Sequence, residues 1–329
     1  MGGGAREITL LLNMSIMDGY TVLDGDSMAK VAQESVVALP RGADTPPTAR
    51  RRSLAWIGVA PFFLYIAVFL LLPTLWLVVE AFQTDAGGFT LAHVQELFQS
   101  QYVAAYLTSV KLSAVTAITG GVFGLFVAYA AVTEGAPRWI RPTLTTFAGV
   151  AANFAGVPLA FAFVATLGTT GLVTRFLADH GVPLYANGFT LYSFTGLALV
   201  YTYFQLPLMI LVISPALDGL RRQWREAATN MGATSFQYWL WVGLPILWPS
   251  LLGAMVLLFG NAFSAYATAY AISGSTINLV PILIGSVLSG NLTSDPQFGD
   301  ALALGMIVII GASVVLYAVL QRRSNRWLR

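Results

Sequence analysis

Six apolar stretches divide the chain, at residues 55–82, 109–132, 144–167, 191–217, 244–272 and 301–320. A bilayer core of about 30 Å needs roughly 20 apolar residues in a helix. Each stretch reaches or exceeds that length. They are apolar on all sides rather than along one stripe, which is the pattern of a helix in lipid, not of a soluble bundle. Polar, glycine- and proline-rich segments connect them. The pattern predicts an all-α integral membrane protein with six transmembrane helices. Prolines at Pro61, Pro73, Pro158, Pro207, Pro215 and Pro249 fall inside the stretches and predict kinks. Gly120 and Gly124 stand four apart on the second stretch, with Gly121 beside them. That spacing predicts a close helix–helix contact.

Arginine placement predicts which side each connection faces. Arg50, Arg51 and Arg52 precede the first stretch; Arg138 and Arg141 lie between the second and third. Arg221, Arg222 and Arg225 lie between the fourth and fifth, and Arg322, Arg323, Arg326 and Arg329 follow the sixth. The alternate connections are acid-rich, with Asp85, Glu96, Asp179, Asp295 and Asp300. By the positive-inside rule both termini and the connection around Glu226 are expected to be cytoplasmic.

Composition agrees: 57% of residues are hydrophobic and 10% charged, against about 25% charged in a soluble domain. There is no cysteine, which removes disulfides and thiolate chemistry. His93 and His180 fall in segments read as loops. Residues 1–53 have no apolar run long enough to span and are expected to be a disordered cytoplasmic tail; residues 54–329 form the transmembrane domain.

No acid sits in the middle of an apolar stretch, which counts against a proton relay. The fifth stretch is the most polar. Asn261, Ser264 and Thr268 fall at i, i+3 and i+7, one face of a continuous helix. Such a face turns toward protein or toward a water-filled path. Interhelical hydrogen bonding and lining of a translocation route are both open readings.

The connection at about 218–245 is the most informative segment. Asp218 is expected to open a polar helix running to about Asn230. Gly232 suits the left-handed position that ends a helix. Thr234 reads as an N-cap, with Gln237 completing a capping box. Leu244-Pro245 marks entry into the fifth stretch. Ala227 and Ala228 beside Glu226 leave room for another surface to approach. The result is a short docking helix, a glycine turn and a lead into the membrane.

Glu226-Ala227-Ala228, three residues, Gly232, nine residues, Val242, one residue and Leu244-Pro245 resemble the EAA loop of the membrane subunits of binding-protein-dependent ABC importers. The aliphatic position is usually Ile in that family, and Val242 departs from it. Seven such positions coincide by chance in roughly one random chain in 10⁵ or fewer. The resemblance covers about residue 55 to the C-terminus. It implies the type I importer permease architecture and half of a translocation path. It implies a cytoplasmic ATPase dimer contacted through Glu226, Ala227, Ala228 and Gly232, with Val242, Leu244 and Pro245 leading that contact into the fifth stretch. It also implies a second permease subunit and a periplasmic or lipid-anchored substrate-binding protein, in the bacterial inner membrane.

The chain's two lysines, Lys30 and Lys111, lie outside any glycine-rich phosphate loop, so ATP hydrolysis is expected from a separate subunit. No catalytic residue, cofactor, metal site or nucleic-acid partner is expected. The wording NAFSAYATAYAISGS around the fifth stretch is similar to spermidine/putrescine-type permeases and their relatives for iron, thiamine, sulfate or phosphonate. A stand-alone channel or secondary carrier is the competing reading.

Overall fold

The computed structural model describes residues 55–84, 87–132, 137, 139–290 and 296–327. The tail expected at 1–53 lies outside them. The chain divides into two compact units, Met1–Tyr65 and Ile66–Arg329. All but the last residue of α1 (Ala55–Ile66) lies in the first unit.

The second unit begins with a π-helical turn, Ala67–Leu71, that leads into α2 (Leu72–Glu80). It continues through α3 (Ala92–Glu96), α4 (Ser100–Val132), α5 (Ile140–Asn153), α6 (Val157–Leu167) and α7 (Leu172–Asp179). Next come α8 (Phe194–Asp218), α9 (Arg222–Asn230) and α10 (Ser235–Tyr238). A second π-turn, Trp239–Gly243, leads into α11 (Leu244–Phe263). The chain closes with α12 (Ala267–Ser273), α13 (Val280–Leu288) and α14 (Pro296–Trp327). Among the described residues there is no strand, only an isolated bridge between Gln83 and Phe89.

Among the described residues, six helical segments are long and apolar enough to cross a membrane: Gly58–Glu80, Ser100–Val132, Val157–Asp179, Phe194–Asp218, Ser235–Phe263 and Pro296–Arg322. Many large apolar side chains, including Phe123, Phe126, Phe161 and Val308, are exposed on the outer surfaces. In lipid that is the favourable arrangement, because the solvent there is hydrocarbon.

Helix α8 is the central post, packed against α4, α5 and α11. The α4 glycines make this possible. A Cβ on Gly120 would lie 2.5 Å from Gln205 Cβ, and one on Gly124 would lie 2.6 Å from Met209 Cβ. Gly121 faces Met255 of α11 instead. The close contact predicted from the spacing therefore lies between α4 and α8 within this chain. Gln205 is fully buried in this contact. Its amide donates to the Leu258 carbonyl at 2.6 Å and its oxygen accepts from Asn261 at 3.3 Å. Both functional ends of the side chain are thus bonded, as burial in apolar surroundings demands.

Two of the expected spans are not continuous helices. The third breaks between α5 and α6, where Gly156 adopts φ +75° and Pro158 follows in the first turn of α6. The positive φ of Gly156 cannot continue a right-handed helix, and Pro158 is tolerated in the first turn, where its missing donor would have no helical partner, so the chain stops and restarts. The fifth breaks at 264–266, between α11 and α12. There the Ala265 carbonyl, freed from the helix ladder, accepts from Tyr201 Oη at 2.7 Å. The two breaks are joined: the Gly156 N–H donates to Thr268 Oγ1 at 2.9 Å. Thr268→Val should therefore destabilise the folded chain by about 1–2 kcal/mol, and Thr268→Ser by less. Thermal melting of the purified chain checks this; a valine variant as stable as the parent refutes the clamp.

The long connection after α12 is also structured. Val280, Ile282 and Val287 of α13 are buried, and α13 packs against α14 and α4. The Val280 N–H donates to Ser109 Oγ of α4 at 2.9 Å. His93 lies in α3 and His180 caps the end of α7, so neither is in open loop.

Candidate functional site

The segment 218–245 folds as a helical hairpin against the ends of α4 and α8. Asp218 does not open its first helix, contrary to the sequence expectation. It ends α8, and its carboxylate pairs with Arg141 at the start of α5. The docking helix α9 instead begins after Arg221, which has extended backbone (ψ 131°) and gives no side-chain cap. The physical reason is that α8 spends its last polar residue on a partner from α5. The 219–221 link then turns the chain before α9 starts.

Within α9, Arg222 Nε donates to Glu226 Oε1 at 2.8 Å. Both groups are more than half exposed, so the pair adds only a few tenths of a kcal/mol. Ala227 is exposed, whereas Ala228 is 5% exposed and packs inward. The two alanines therefore have different positions: Ala227 lies on the outer face, and Ala228 lets α9 sit close to its own hairpin.

Gly232 has φ +83°. Its N–H donates to the Thr229 carbonyl at 2.9 Å, and the Ala233 N–H donates to the Ala228 carbonyl at 3.0 Å. This is the Schellman pair of bonds that closes a helix end. Nothing lies within 4 Å of a Cβ built on Gly232. Glycine is required there by backbone conformation rather than by space.

The capping box forms as expected. The Thr234 N–H donates to Gln237 Oε1 at 2.8 Å, and the Gln237 N–H donates to Thr234 Oγ1 at 3.3 Å. Val242 lies in the π-turn, and Leu244-Pro245 forms the first turn of α11. Leu244 and Pro245 are exposed and Val242 partly buried.

Sequence reasoning missed the contact that ties this hairpin to the membrane helices. Trp239 Nε1 donates to Tyr129 Oη of α4 at 3.1 Å, with the rings edge-to-face at 4.7 Å. Gly243 lies under the same indole, where a Cβ would come within 2.7 Å of the ring. The doubled aromatic in WLWVG was the available signal. Sequence reasoning also passed over the exposed apolar side chains Met231 (82%), Phe236 (74%) and Trp241 (76%).

Asn261, Ser264 and Thr268 do not share one helical face, because α11 ends at Phe263. Asn261 and Ser264 are exposed on the last turn of α11. Ser264 Oγ donates back to the Gly260 carbonyl at 2.9 Å. Thr268 lies across the break, 2% exposed, and is held by Gly156.

No family model matches the chain. It is similar to the spermidine/putrescine transport system permease PotB of Haemophilus influenzae, 24% identical over 82% of this chain and 95% of that protein. It is equally similar to the sulfate transport system permease CysT of Salmonella typhimurium, 24% identical over 82% of this chain and 93% of the relative. Among solved structures, the chain shares its fold with a bacterial ABC transporter involved in alginate import (TM-score 0.65, 19% identity, 82% of this chain and 95% of the other). The fold also matches the MetNI methionine ABC transporter (TM-score 0.51, 15% identity, 68% of this chain and 95% of the other). The relatives are transport-system permease proteins, and the fold is that of ABC-transporter membrane subunits.

Proposed function

We infer that this chain, an ABC-importer permease by its fold and relatives, forms half of a translocation path and couples it to a separate ATPase through the 218–245 hairpin. It is a multi-pass protein of the inner membrane and a transport component, not the subunit that hydrolyses ATP. Its partners are a cytoplasmic ABC ATPase dimer, a second permease and a periplasmic binding protein. The observation that carries the coupling role is the α9 hairpin: a glycine-closed helix with an exposed Glu226 and Ala227, followed by the box-capped α10, tied by Trp239 to α4 and running through Pro245 into α11. Glu226, Ala227 and Gly232 form or shape the ATPase contact, and Ala228 seats the helix. Val242, Leu244 and Pro245 carry displacement into α11 and toward the break at 264–266.

Both termini and the hairpin face the cytoplasm. The arginine distribution supports this, and the Arg141–Asp218 pair puts two arginine-bearing connections at one end of the bundle. Asn261 and Ser264 line the path, while Thr268 holds the joined breaks beside it. The cargo is a small polar solute. Spermidine/putrescine and sulfate permeases are equally identical to this chain, so cationic and anionic cargo are weighed by experiment.

Reconstitution with the ATPase, the second permease and the binding protein should give ATP-dependent uptake. Competition by spermidine against sulfate identifies the cargo class. Transport by this chain alone, without an ATPase, would sink the coupling reading and favour a channel.

A further inference from the structure

We propose that the hairpin and the ends of α4 and α8 form a binding site for one anionic phospholipid, with an acyl chain in the apolar groove between them and the headgroup on the hairpin arginines. Two adjoining cavities carry the argument. The first is apolar, about 280 Å³, and walled by Leu125, Ile213, Phe236, Leu240, Leu247 and Leu251. A dry apolar cavity of about 150 Å³ already accommodates a benzene-sized hydrocarbon, so this one has room for a length of acyl chain. The second, about 180 Å³, is lined by Arg221, Arg222 and Arg225 together with Tyr238. Tyr129, Leu217 and Trp239 line both cavities, so the two lie side by side.

This pairing is specific in its chemistry. An apolar slot alone would accept any hydrocarbon, and an arginine cluster alone any anion. Joined at the polar ends of two membrane-spanning helices, they match a molecule with a negative headgroup and an alkyl tail. The arginines need not lack protein partners for this. Arg222 Nε donates to Glu226, and Arg221 lies over the Trp224 ring at 5.9 Å. A guanidinium has five donors, and a phosphate accepts from several at once. A seated lipid would brace Phe236 and Leu240 of the hairpin against Leu125 and Ile213 of the spans. It would thus stiffen the connection through which coupling passes. The proposal rests on the membrane-spanning reading of this chain and not on its cargo or its ATPase.

The test uses the full chain in phosphatidylcholine vesicles containing phosphatidylglycerol brominated on its acyl chains. Quenching at the site is the difference between the parent and Trp239→Phe. We expect brominated phosphatidylglycerol to quench Trp239 well below its bulk fraction, and brominated phosphatidylcholine to do so only in proportion to bulk. Arg221→Gln combined with Arg225→Gln should weaken the phosphatidylglycerol effect about 30-fold, from the attraction of two arginines for anionic lipid. Leu125→Phe, which fills the slot and leaves the arginines intact, should also abolish it. Equal quenching by the two lipids overturns the headgroup assignment. No quenching by either shows that a protein segment fills the slot or that it is closed, and overturns the site. Because no uptake is measured, failure here is distinct from failure of the transport reading.

Discussion

Glu226→Lys should abolish ATP-driven uptake while leaving the chain inserted and as stable as the parent. Glu226 is exposed and its single described bond is to Arg222, on the same helix. Losing that pair costs a few tenths of a kcal/mol, and placing Lys four residues after Arg222 adds a repulsion of similar size. No effect within this chain can account for a large loss of function. A loss of tenfold or more in uptake, with ATP hydrolysis by the assembled complex persisting, would locate the cause in a contact outside the chain. Uptake at the parental rate would remove Glu226 from the coupling surface. Gly232 provides the contrasting arm. Gly232→Ala forces a Cβ residue into the left-handed region at about 1–2 kcal/mol. Gly232→Pro fixes φ near −65° where +83° is needed and deletes the bond to Thr229. Uptake should fall partly with alanine and completely with proline. The graded response follows the geometry of the turn, whereas the Glu226 response follows its chemistry.

The elements most legible in the sequence were those fixed locally. The Schellman turn needs only Gly232, and the capping box needs only Thr234 and Gln237, so neighbouring residues encode them. Apolar length marks the helices that cross, except that the third was expected at 144–167 and the crossing segment is Val157–Asp179. The break after Asn153 was half-legible, because Pro158 was read as a kink within one span, while Gly156 beside it was passed over. The break at 264–266 carries no proline and no glycine. It is held by Tyr201, 64 residues away, and by Thr268 reaching Gly156, 112 residues away. A pattern with a period of 3.6 runs straight through such a site, which is why Asn261, Ser264 and Thr268 read as one face. The same limit explains Asp218: its partner Arg141 is 77 residues distant, and no local signal distinguishes the end of one helix from the start of another.

Gly124→Leu and Gly120→Leu should prevent stable folding, and even alanine at either position should destabilise the chain by about 1–3 kcal/mol. Helix propensity alone argues for the opposite sign, since alanine is favoured over glycine in a helix by up to about 1 kcal/mol. Packing decides between them. At Gly120 the new Cβ meets Gln205 Cβ at 2.5 Å and the Gln205 and Leu206 backbone at 3.2 Å. At Gly124 it meets the Leu206 carbonyl oxygen at 2.7 Å. These are atoms on or next to the α8 main chain, which no rotamer change can move aside. Relief requires α4 and α8 to separate, which opens the α8 face on which Gln205 is fully buried. Gly149 of α5 is the control, because nothing lies within 4 Å of a Cβ there. Gly149→Ala should leave the melting temperature of the purified chain unchanged or raise it. The same substitution should therefore have opposite signs at the two sites. If alanine at Gly120 and Gly124 were as harmless as at Gly149, the α4–α8 contact would be looser than these distances require, and α8 could not serve as the post against which the hairpin moves.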